Sequence, residues 1–263
     1  MYQESDFPAI QSMEGISLEE LSSLSLMNRI DTKYITTHSV IKKILANAYS
    51  NGYRVCEVHN KRLQPYYSVY YDTHMLNMYT DHHNKKLTRQ KVRVRTYLTS
   101  NQTFLEIKNK TNKGRTKKKR IPVKYSTNES IFQTADYCDF LTKHSTYSPN
   151  QLHPEATTQF SRFTLVNAEY SERITIDINL QFHNFRTQKN IHMEDLVIIE
   201  LKQDGRKPSK MRNILLEHRV FPYKISKYCL AVTLTEPTVR KGRFLQKIRH
   251  IEKLTNKHYI NNI

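Results

Sequence analysis

The clearest hydrophobic pattern in this chain is the alternation of polar and apolar residues between positions 89 and 110. Charged or aromatic side chains occupy every second position, namely Lys91, Arg93, Arg95 and Tyr97, then Phe104, Glu106 and Lys108. The positions between them are mostly aliphatic, including Val92, Val94, Leu105 and Ile107. A period of two is typical of β-strands. The segment therefore predicts a hairpin with one aliphatic and one charged face, and a charged strand face is most simply exposed to solvent.

Similar patterns predict the other elements. Further strands are expected at 29–35, 65–73, 160–168, 172–180 and 196–202. Apolar residues at helical spacing predict helices at 38–51, 129–143, 207–219, 227–235 and 240–254, and a short helix is expected after Ser17. Residues 1–15 carry little pattern and are expected to form a loose arm, and 144–158 a connection.

These elements predict an α+β fold, because the amphipathic helices need apolar surface to cover. If they cover the aliphatic strand faces, an open sheet would show its charged faces to solvent, whereas a closed barrel would gather them in a lumen. We expect the second arrangement, a closed antiparallel eight-stranded β-barrel with helices packed outside. Eight is roughly the number of strands that encloses one ligand. The expected divisions are an N-terminal arm and helix at 1–24, the barrel domain at 25–236 and a basic amphipathic helix at 237–263.

Net charge narrows the choice of ligand. The chain has 42 Lys and Arg against 24 Asp and Glu, a formal charge of +18. A field of that sign attracts polyanions such as nucleic acid, anionic lipid or phosphate-rich small molecules. Three widely spaced cysteines argue against a disulfide framework. With no signal-peptide pattern and no apolar run long enough to cross a bilayer, the sequence predicts a cytoplasmic protein.

Cations that all pointed into one lumen would repel each other unless a multiply charged anion lay among them. Two acidic residues interrupt this pattern, in the repeated motifs Glu106-x-Lys108 and Glu200-x-Lys202. A carboxylate beside phosphate-binding cations can hold Mn²⁺ or Mg²⁺ together with phosphate oxygens. It can equally form an ion pair with its neighbours. For Glu200 the metal-ligand interpretation is favoured, whereas for Glu106 both interpretations remain open.

Two basic segments also have alternative interpretations. The run from Lys113 to Arg120 can be a solvated loop or a non-specific polyanion patch. The basic helix near the C-terminus can pack on its own domain, or dock on a membrane surface or membrane protein. The adjacent His82 and His83 lack the spacing of most metal ligands and are expected in a loop.

An ordered set of short motifs resembles a known family. It comprises Arg29-x-Asp31-x-Lys33-Tyr34, Tyr71-Asp72-Thr73, Arg93-x-Arg95, Leu105-Glu106-x-Lys108, Lys119-Arg120, Ser161-Arg162, Glu200-x-Lys202 and Ser226-Lys227-Tyr228. The set is similar to the catalytic domain of the vacuolar transporter chaperone polyphosphate polymerases, within the triphosphate tunnel metalloenzymes. The resemblance extends over roughly residues 25 to 235.

The resemblance implies a basic tunnel that binds triphosphate or polyphosphate. The phosphate-contacting residues it implies as catalytic are Lys33, Arg93, Arg95, Lys108, Arg162, Arg173, Lys202 and Lys227. The additional substrate-binding positions are Lys91, Arg120, Lys224 and Tyr34, and the metal ligands are Glu200 and Glu106. One departure is that Arg29-x-Asp31-x-Lys33 replaces the Glu-x-Glu-x-Lys of the wider superfamily. The missing first acid weakens the case for a two-metal hydrolytic site and favours the polymerase branch.

The leading hypothesis is a metal-dependent polyphosphate polymerase that transfers the γ-phosphoryl group of ATP to a growing polyphosphate chain. A hydrolase of tripolyphosphate or nucleoside triphosphates in the same tunnel is the second. The third is a non-catalytic module that binds polyphosphate or RNA. Nucleic acid is the less favoured ligand, because the cations alternate within apolar strands and the chain has no Trp.

Overall fold

A computed structural model describes residues 1–23, 29–124, 131–205 and 208–260 of the chain. Within these residues the fold is built on one sheet of 11 strands. The strands are β1 (Gly15–Ser17), β2 (Arg29–Thr37), β3 (Arg54–Glu57), β4 (Gln64–Asp72), β5 (Arg89–Tyr97), β6 (Gln102–Lys110), β7 (Thr116–Pro122), β8 (His153–Val166), β9 (Glu172–Asn184), β10 (Asn190–Met193) and β11 (Leu196–Asp204).

The main strands follow the order β2-β11-β9-β8-β4-β5-β6-β7, and neighbours in this order pair antiparallel. The sheet curls into a half-barrel, with β2 and β7 at its two free edges. The expectation of a closed barrel is therefore wrong, although the antiparallel α+β class is confirmed. Both edges carry several cations, including Lys33 on β2 and Lys118 on β7, and repulsion between like charges disfavours pairing of these edges.

Helices pack around the sheet, and most of them cover its outside. They are α1 (Pro8–Ser12), α2 (Leu18–Ser23), α3 (His38–Ser50), α4 (Asn77–His83), α5 (Ala135–His144), α6 (Lys210–Glu217), α7 (Lys227–Thr235) and α8 (Gly242–Thr255). The apolar sides of α1, α3 and α6 meet the aliphatic residues of β8, β9 and β11 in one buried cluster. Leu141 of α5 packs in a second cluster with the aliphatic residues of β5 and β6. The charged strand faces are left on the concave side.

Helix α7 differs from the others because it is buried on all sides. Tyr228, at its second position, stacks on Tyr70 of β4 with 5.2 Å between ring centroids. Ser226 caps the helix by accepting a hydrogen bond from the backbone of Cys229. The side chain of Lys227 contacts Asp177 of β9. The first turn of α7 therefore lies against the charged concave face.

Several local predictions are corrected. The segment expected to be a loose arm is packed, since Phe7, Ile10 and Met13 are buried against α3 and its neighbours. His82 and His83 end α4 instead of lying in a loop. Strand β8 begins at His153, within the expected connection. The basic run at 113–120 enters strand β7 after a turn in which Gly114 has a φ of +77°.

The basic C-terminal helix packs on its own domain. Ile248 and Ile251 of α8 are fully buried in the same cluster as α7. Among the described residues, every helix is too short or too polar to cross a membrane.

Candidate functional site

The predicted hairpin forms as expected and sets the register of the site. Arg93 of β5 lies opposite Glu106 of β6, and Lys91 lies opposite Lys108. Because directly opposed residues in an antiparallel pair point to the same face, these side chains share the concave side of the sheet. By the same rule Lys33 and Glu200, which lie opposite each other on β2 and β11 at the other end of the strand order, share one face, and it is the concave one.

This concave face collects most of the predicted site residues together with Lys118, and we call its basic residues the cation cluster. Its members are Lys33, Lys91, Arg93, Arg95, Lys108, Lys118, Arg120, Arg162, Lys202 and Lys227. Carboxylates also lie among them, including those of Glu106, Asp177 and Glu200. The cations outnumber the acids, so the face attracts a multiply charged anion.

Glu106 is fully buried and serves as an ion-pair partner. Its Oε2 accepts hydrogen bonds from Nε and Nη2 of Arg93 at 2.8 and 2.6 Å, and the ammonium of Lys118 contacts Oε1. Burial raises the pKa of Glu106, but the charges of Arg93 and Lys118 outweigh it and hold the pKa well below the usual range. Since both oxygens are engaged, the ion-pair interpretation replaces that of a metal ligand.

Arg93 also donates a hydrogen bond of 3.1 Å from Nη1 to the hydroxyl of Tyr70. Burial raises the pKa of Tyr70, but the charges of Arg93, Arg95 and Lys91 lower it to about 7. This shift marks the strength of the positive field at the centre of the concave face.

Several cations of the cluster, Arg95 and Lys108 among them, have no acidic partner in the described part of the chain. Arg95 is buried, donates to Ser68 Oγ at 3.0 Å and lies over the rings of Tyr66 and Phe160. Burial and the charge of Arg93 lower its pKa to about 10. The charge of Arg93, followed by burial, lowers the pKa of Lys108 well below its usual value. An anion bound between them would relieve both penalties.

Asp177 of β9 holds two cations at once. Arg162 donates to it through Nε and Nη2 at 2.5 and 2.8 Å, and Lys227 contacts the same carboxylate. The carboxylate is 3% exposed, and the side chains of both cations are 13% exposed. Burial raises the pKa of Asp177, but Arg162 and Lys227 together lower it far more. This arrangement, which we call the Asp177 clamp, fixes a guanidinium beside the centre of the face.

Glu200 is the carboxylate left available. Within residues 1–23, 29–124, 131–205 and 208–260, its carboxylate has no ion pair or hydrogen bond. Burial raises its pKa, but the charges of Lys202, Lys33 and other cations lower it to about 2. An ionised carboxylate surrounded by cations that do not touch it suits a divalent ion shared with phosphate oxygens.

The donor set allows one such ion with few protein ligands. No group of three or more His, Cys, Asp or Glu residues suited to a metal occurs in the described part of the chain. Asp31, the acid of the Arg29-x-Asp31 motif, is bound by Arg29 at 2.6 and 3.1 Å. The residues present therefore fit Mn²⁺ or Mg²⁺ held by Glu200 together with phosphate and water, as Mg²⁺ sites commonly are.

Four predicted residues have surroundings that the sequence did not indicate. Tyr34 points to the opposite face of β2 and is buried in the outer apolar cluster, so the structure removes it from the substrate-binding set. Arg173 donates to the carbonyl oxygen of Leu21, at α2. Lys224 is exposed, and Lys247 of α8 contacts its carbonyl oxygen. Lys91 donates to Ser226 Oγ at 2.7 Å, linking β5 to the start of α7.

Sequence reasoning missed Asp177, Lys118 and Tyr70 as members of the site. Asp177 is in phase with Arg173 and Thr175 on β9, so the alternation alone assigns it to the charged face. Its pairing with Arg162 depends on the register between β8 and β9. Lys118 was hidden in a run of like residues, in which one position cannot be distinguished from the next without the register of β7.

Comparison with known proteins agrees with this geometry. The model of the VTC domain family matches residues 28–235, which include every member of the cation cluster. The chain belongs to the VTC domain family. Its matched segment begins just before β2 and ends with α7, so the VTC domain contains all strands of the half-barrel except β1.

Among solved structures, two bacterial proteins and one plant protein, each named a "putative" adenylate or adenylyl cyclase, resemble this VTC domain protein. The one from Vibrio parahaemolyticus is 10% identical with a TM-score of 0.45, covering 78% of this chain and 99% of its own. The one from Bacillus halodurans is 11% identical with a TM-score of 0.48, covering 83% and 100%. The Hippeastrum protein, described as having a dominant triphosphatase activity, is 12% identical with a TM-score of 0.48, covering 77% and 94%. No match to a curated protein sequence was found.

Proposed function

We propose that this VTC domain protein is a metal-dependent polyphosphate polymerase. It transfers the γ-phosphoryl group of ATP to a polyphosphate chain bound along the concave face. The observation that carries the proposal is a dense set of buried and half-buried cations around Glu200, whose carboxylate has no ion pair among the described residues. Membership of the VTC domain family supports the same assignment.

Phosphoryl transfer requires from the protein mainly positioning and neutralisation of charge. Arg162, fixed by Asp177, and Arg93, fixed by Glu106, present guanidinium groups in defined orientations. Arg95, Lys108 and Lys33 add positive charge, and none of them has an acidic partner among the described residues that would compete with phosphate. The attacking atom is a terminal phosphate oxygen of the chain, so the mechanism needs no protein nucleophile.

A divalent ion bound by Glu200 would neutralise negative charge on the phosphates and polarise the transferred group. The surrounding lysines keep Glu200 ionised, as its pKa of about 2 indicates. Lys33 lies directly opposite Glu200 on the paired strand β2. Lys202 is the next residue on the same face of β11.

The proposal favours transfer to phosphate over hydrolysis for one structural reason. Asp31 is bound by Arg29, which stands where the wider superfamily has an acid. Glu200 therefore lacks a second unpaired carboxylate nearby in the described residues, and two-metal activation of water is disfavoured.

ATP and inorganic polyphosphate are the proposed ligands, and a cytoplasmic location would supply the ATP. A membrane-protein partner is a further proposal. Because α8 buries Ile248 and Ile251 in its own core, such a partner would contact the exposed basic residues of α8, such as Lys253, and not its apolar side.

The purified protein should form long polyphosphate from ATP with Mn²⁺ or Mg²⁺, as seen on a polyacrylamide gel. Glu200→Gln should lower the rate about 100-fold or more, because a bound metal supplies several kcal/mol of transition-state stabilisation. Glu217→Gln, at an exposed position on α6, is the matched control and should retain full activity. Equal activity of Glu200→Gln and wild type would remove Glu200 from the mechanism.

A further inference from the structure

A group of aromatic rings lies beside the cation cluster, at the ends of the strands farthest from α4 and α8. We call this group the aromatic shelf, and it consists of Tyr66 on β4, Tyr97 on β5 and Phe104 on β6. Tyr66 and Tyr97 meet edge to face with 5.1 Å between centroids, and Tyr97 and Phe104 do so at 5.9 Å. The guanidinium of Arg120 lies 4.5 Å from the centroid of Phe104.

The aromatic shelf continues the concave face directly. Phe104 is the next residue after Glu106 on that face, a step of two residues or about 7 Å along the strand. Tyr97 is in the same relation to Arg95. A ligand whose phosphates lie on the cation cluster can therefore reach the shelf with a group attached to one end of its phosphate chain.

The shelf is not closed over by the core. Tyr66, Tyr97 and Phe104 are half-buried, and Arg120 is exposed. The hydroxyl of Tyr97 has no hydrogen-bond partner among the residues that the structure describes. An exposed guanidinium stacked on an aromatic ring is the kind of surface on which nucleic-acid bases stack.

We propose that the aromatic shelf binds the purine base of the nucleoside triphosphate donor while the cation cluster binds its phosphates. This inference rests on the proposed function, because it assumes that the donor is ATP. The shelf distinguishes the two proposed ligands, because polyphosphate contacts the cation cluster alone, whereas ATP contacts both the cluster and the shelf.

Equilibrium binding of ATP and of inorganic tripolyphosphate, measured by calorimetry in the presence of a chelator that prevents turnover, tests this inference. Both ligands carry three phosphates, and only ATP carries a base. ATP should bind wild type about 5- to 100-fold more tightly than it binds Phe104→Leu, because one stacked base contributes about this factor. Phe104→Leu and Tyr97→Leu should lose this factor for ATP and keep the affinity of wild type for tripolyphosphate.

Tyr49→Leu, at an exposed position on α3, is the control and should bind both ligands as wild type does. The inference is overturned if Phe104→Leu and Tyr97→Leu bind ATP as tightly as wild type, or if they lose affinity for both ligands equally. If wild type binds neither ligand, the proposed function fails as well. Binding of both ligands with no effect of the shelf substitutions would contradict the shelf alone.

Discussion

At the scale of single residues, the Asp177 clamp explains how two buried cations coexist at the centre of the concave face. Arg162 and Lys227 come from different elements, β8 and α7, and Asp177 on β9 joins them. Without its carboxylate, both cations would be buried near each other with no compensating charge. The clamp is therefore a positioning device for the phosphate-binding groups and also a contribution to stability.

Asp177→Asn should lower the free energy of unfolding by about 3 kcal/mol, the usual cost of removing one partner from a buried ion pair. Thermal denaturation would measure this loss. Added tripolyphosphate should raise the melting temperature of the variant more than that of wild type, because the anion replaces the missing negative charge. Asp139→Asn, at an exposed position on α5, is the control. An equal ligand effect in Asp177→Asn and wild type would show that the clamp does not adjoin the bound anion.

Lys227 should make the proposed binding of phosphate depend on pH. Burial lowers its pKa to about 8, although Asp177 opposes the shift. As pH rises through 8, Lys227 loses its proton and attracts phosphate less. The free protein changes in the opposite sense: with a folded-state pKa below the unfolded value, this group destabilises the fold below pH 8, and the penalty disappears as pH rises from about 8 to 10.4.

The affinity for tripolyphosphate should therefore fall between pH 7 and 9, on a scale of about tenfold or less for this one charge. Lys227→Arg, which keeps its charge throughout this range, should show a smaller fall. Part of the fall should remain, because burial also lowers the pKa of Lys91 and Lys202. Identical pH profiles for wild type and Lys227→Arg would exclude titration of Lys227 as a cause.

At the scale of elements, strand β7 shows that the side of the sheet to which a lysine points decides whether it belongs to the site. Lys118 contacts Glu106 from the concave side, whereas Lys119, its neighbour, lies opposite Ile107 and points the other way. Both side chains are basic and both positions are exposed. Only the register of the strand separates the site residue from its neighbour.

Lys118→Met should weaken binding of tripolyphosphate several-fold, since it removes a cation that is partly desolvated beside Glu106. Lys119→Met removes the same formal charge from the outer side and should change the affinity much less. Fluorescence competition at physiological salt would compare the two. Equal losses in both variants would mean that β7 acts only through net charge.

The period-two alternation predicted most strands, because each has one face against the outer helices and the other on the concave side. The predicted hairpin of β5 and β6 forms, and the structure adds its register, with Arg93 opposite Glu106. Closure of the barrel could not be predicted, because it depends on whether β2 and β7 meet, and no local pattern encodes that. The packed N-terminal segment was missed for a related reason: Phe7, Ile10 and Met13 are buried by contacts with distant elements.

Within the site, residue type predicted which face carries charge but not which charges are paired. Glu106 and Glu200 stand in the same Glu-x-Lys motif, yet the first is held by Arg93 and Lys118, whereas the second has no ion pair with any residue that the structure describes. The difference arises from strands far apart in sequence. Tyr34 fails as a site residue because its position next to Lys33 places it on the opposite face of β2.

At the scale of the whole molecule, the formal charge is +18, and the open half-barrel places many of the basic residues on one concave face. Helices on the outside and α7 against the inside fix the curvature of the sheet, so the cations stay close despite their repulsion. A polyanion is the ligand that this arrangement stabilises most. In the proposed function, ATP and a metal ion would have to bind at the same face for phosphate to be transferred to that polyanion.

Phosphorus NMR of wild-type protein incubated with ATP and Mg²⁺ tests this account most directly, because it distinguishes internal phosphates of a chain from orthophosphate. Polymerase activity predicts that internal polyphosphate signals grow as the γ-phosphate signal of ATP declines, with little orthophosphate. Accumulation of orthophosphate without internal signals would contradict the central claim and make the protein a triphosphate hydrolase. Unchanged ATP would leave the concave face as a binding surface without phosphoryl transfer.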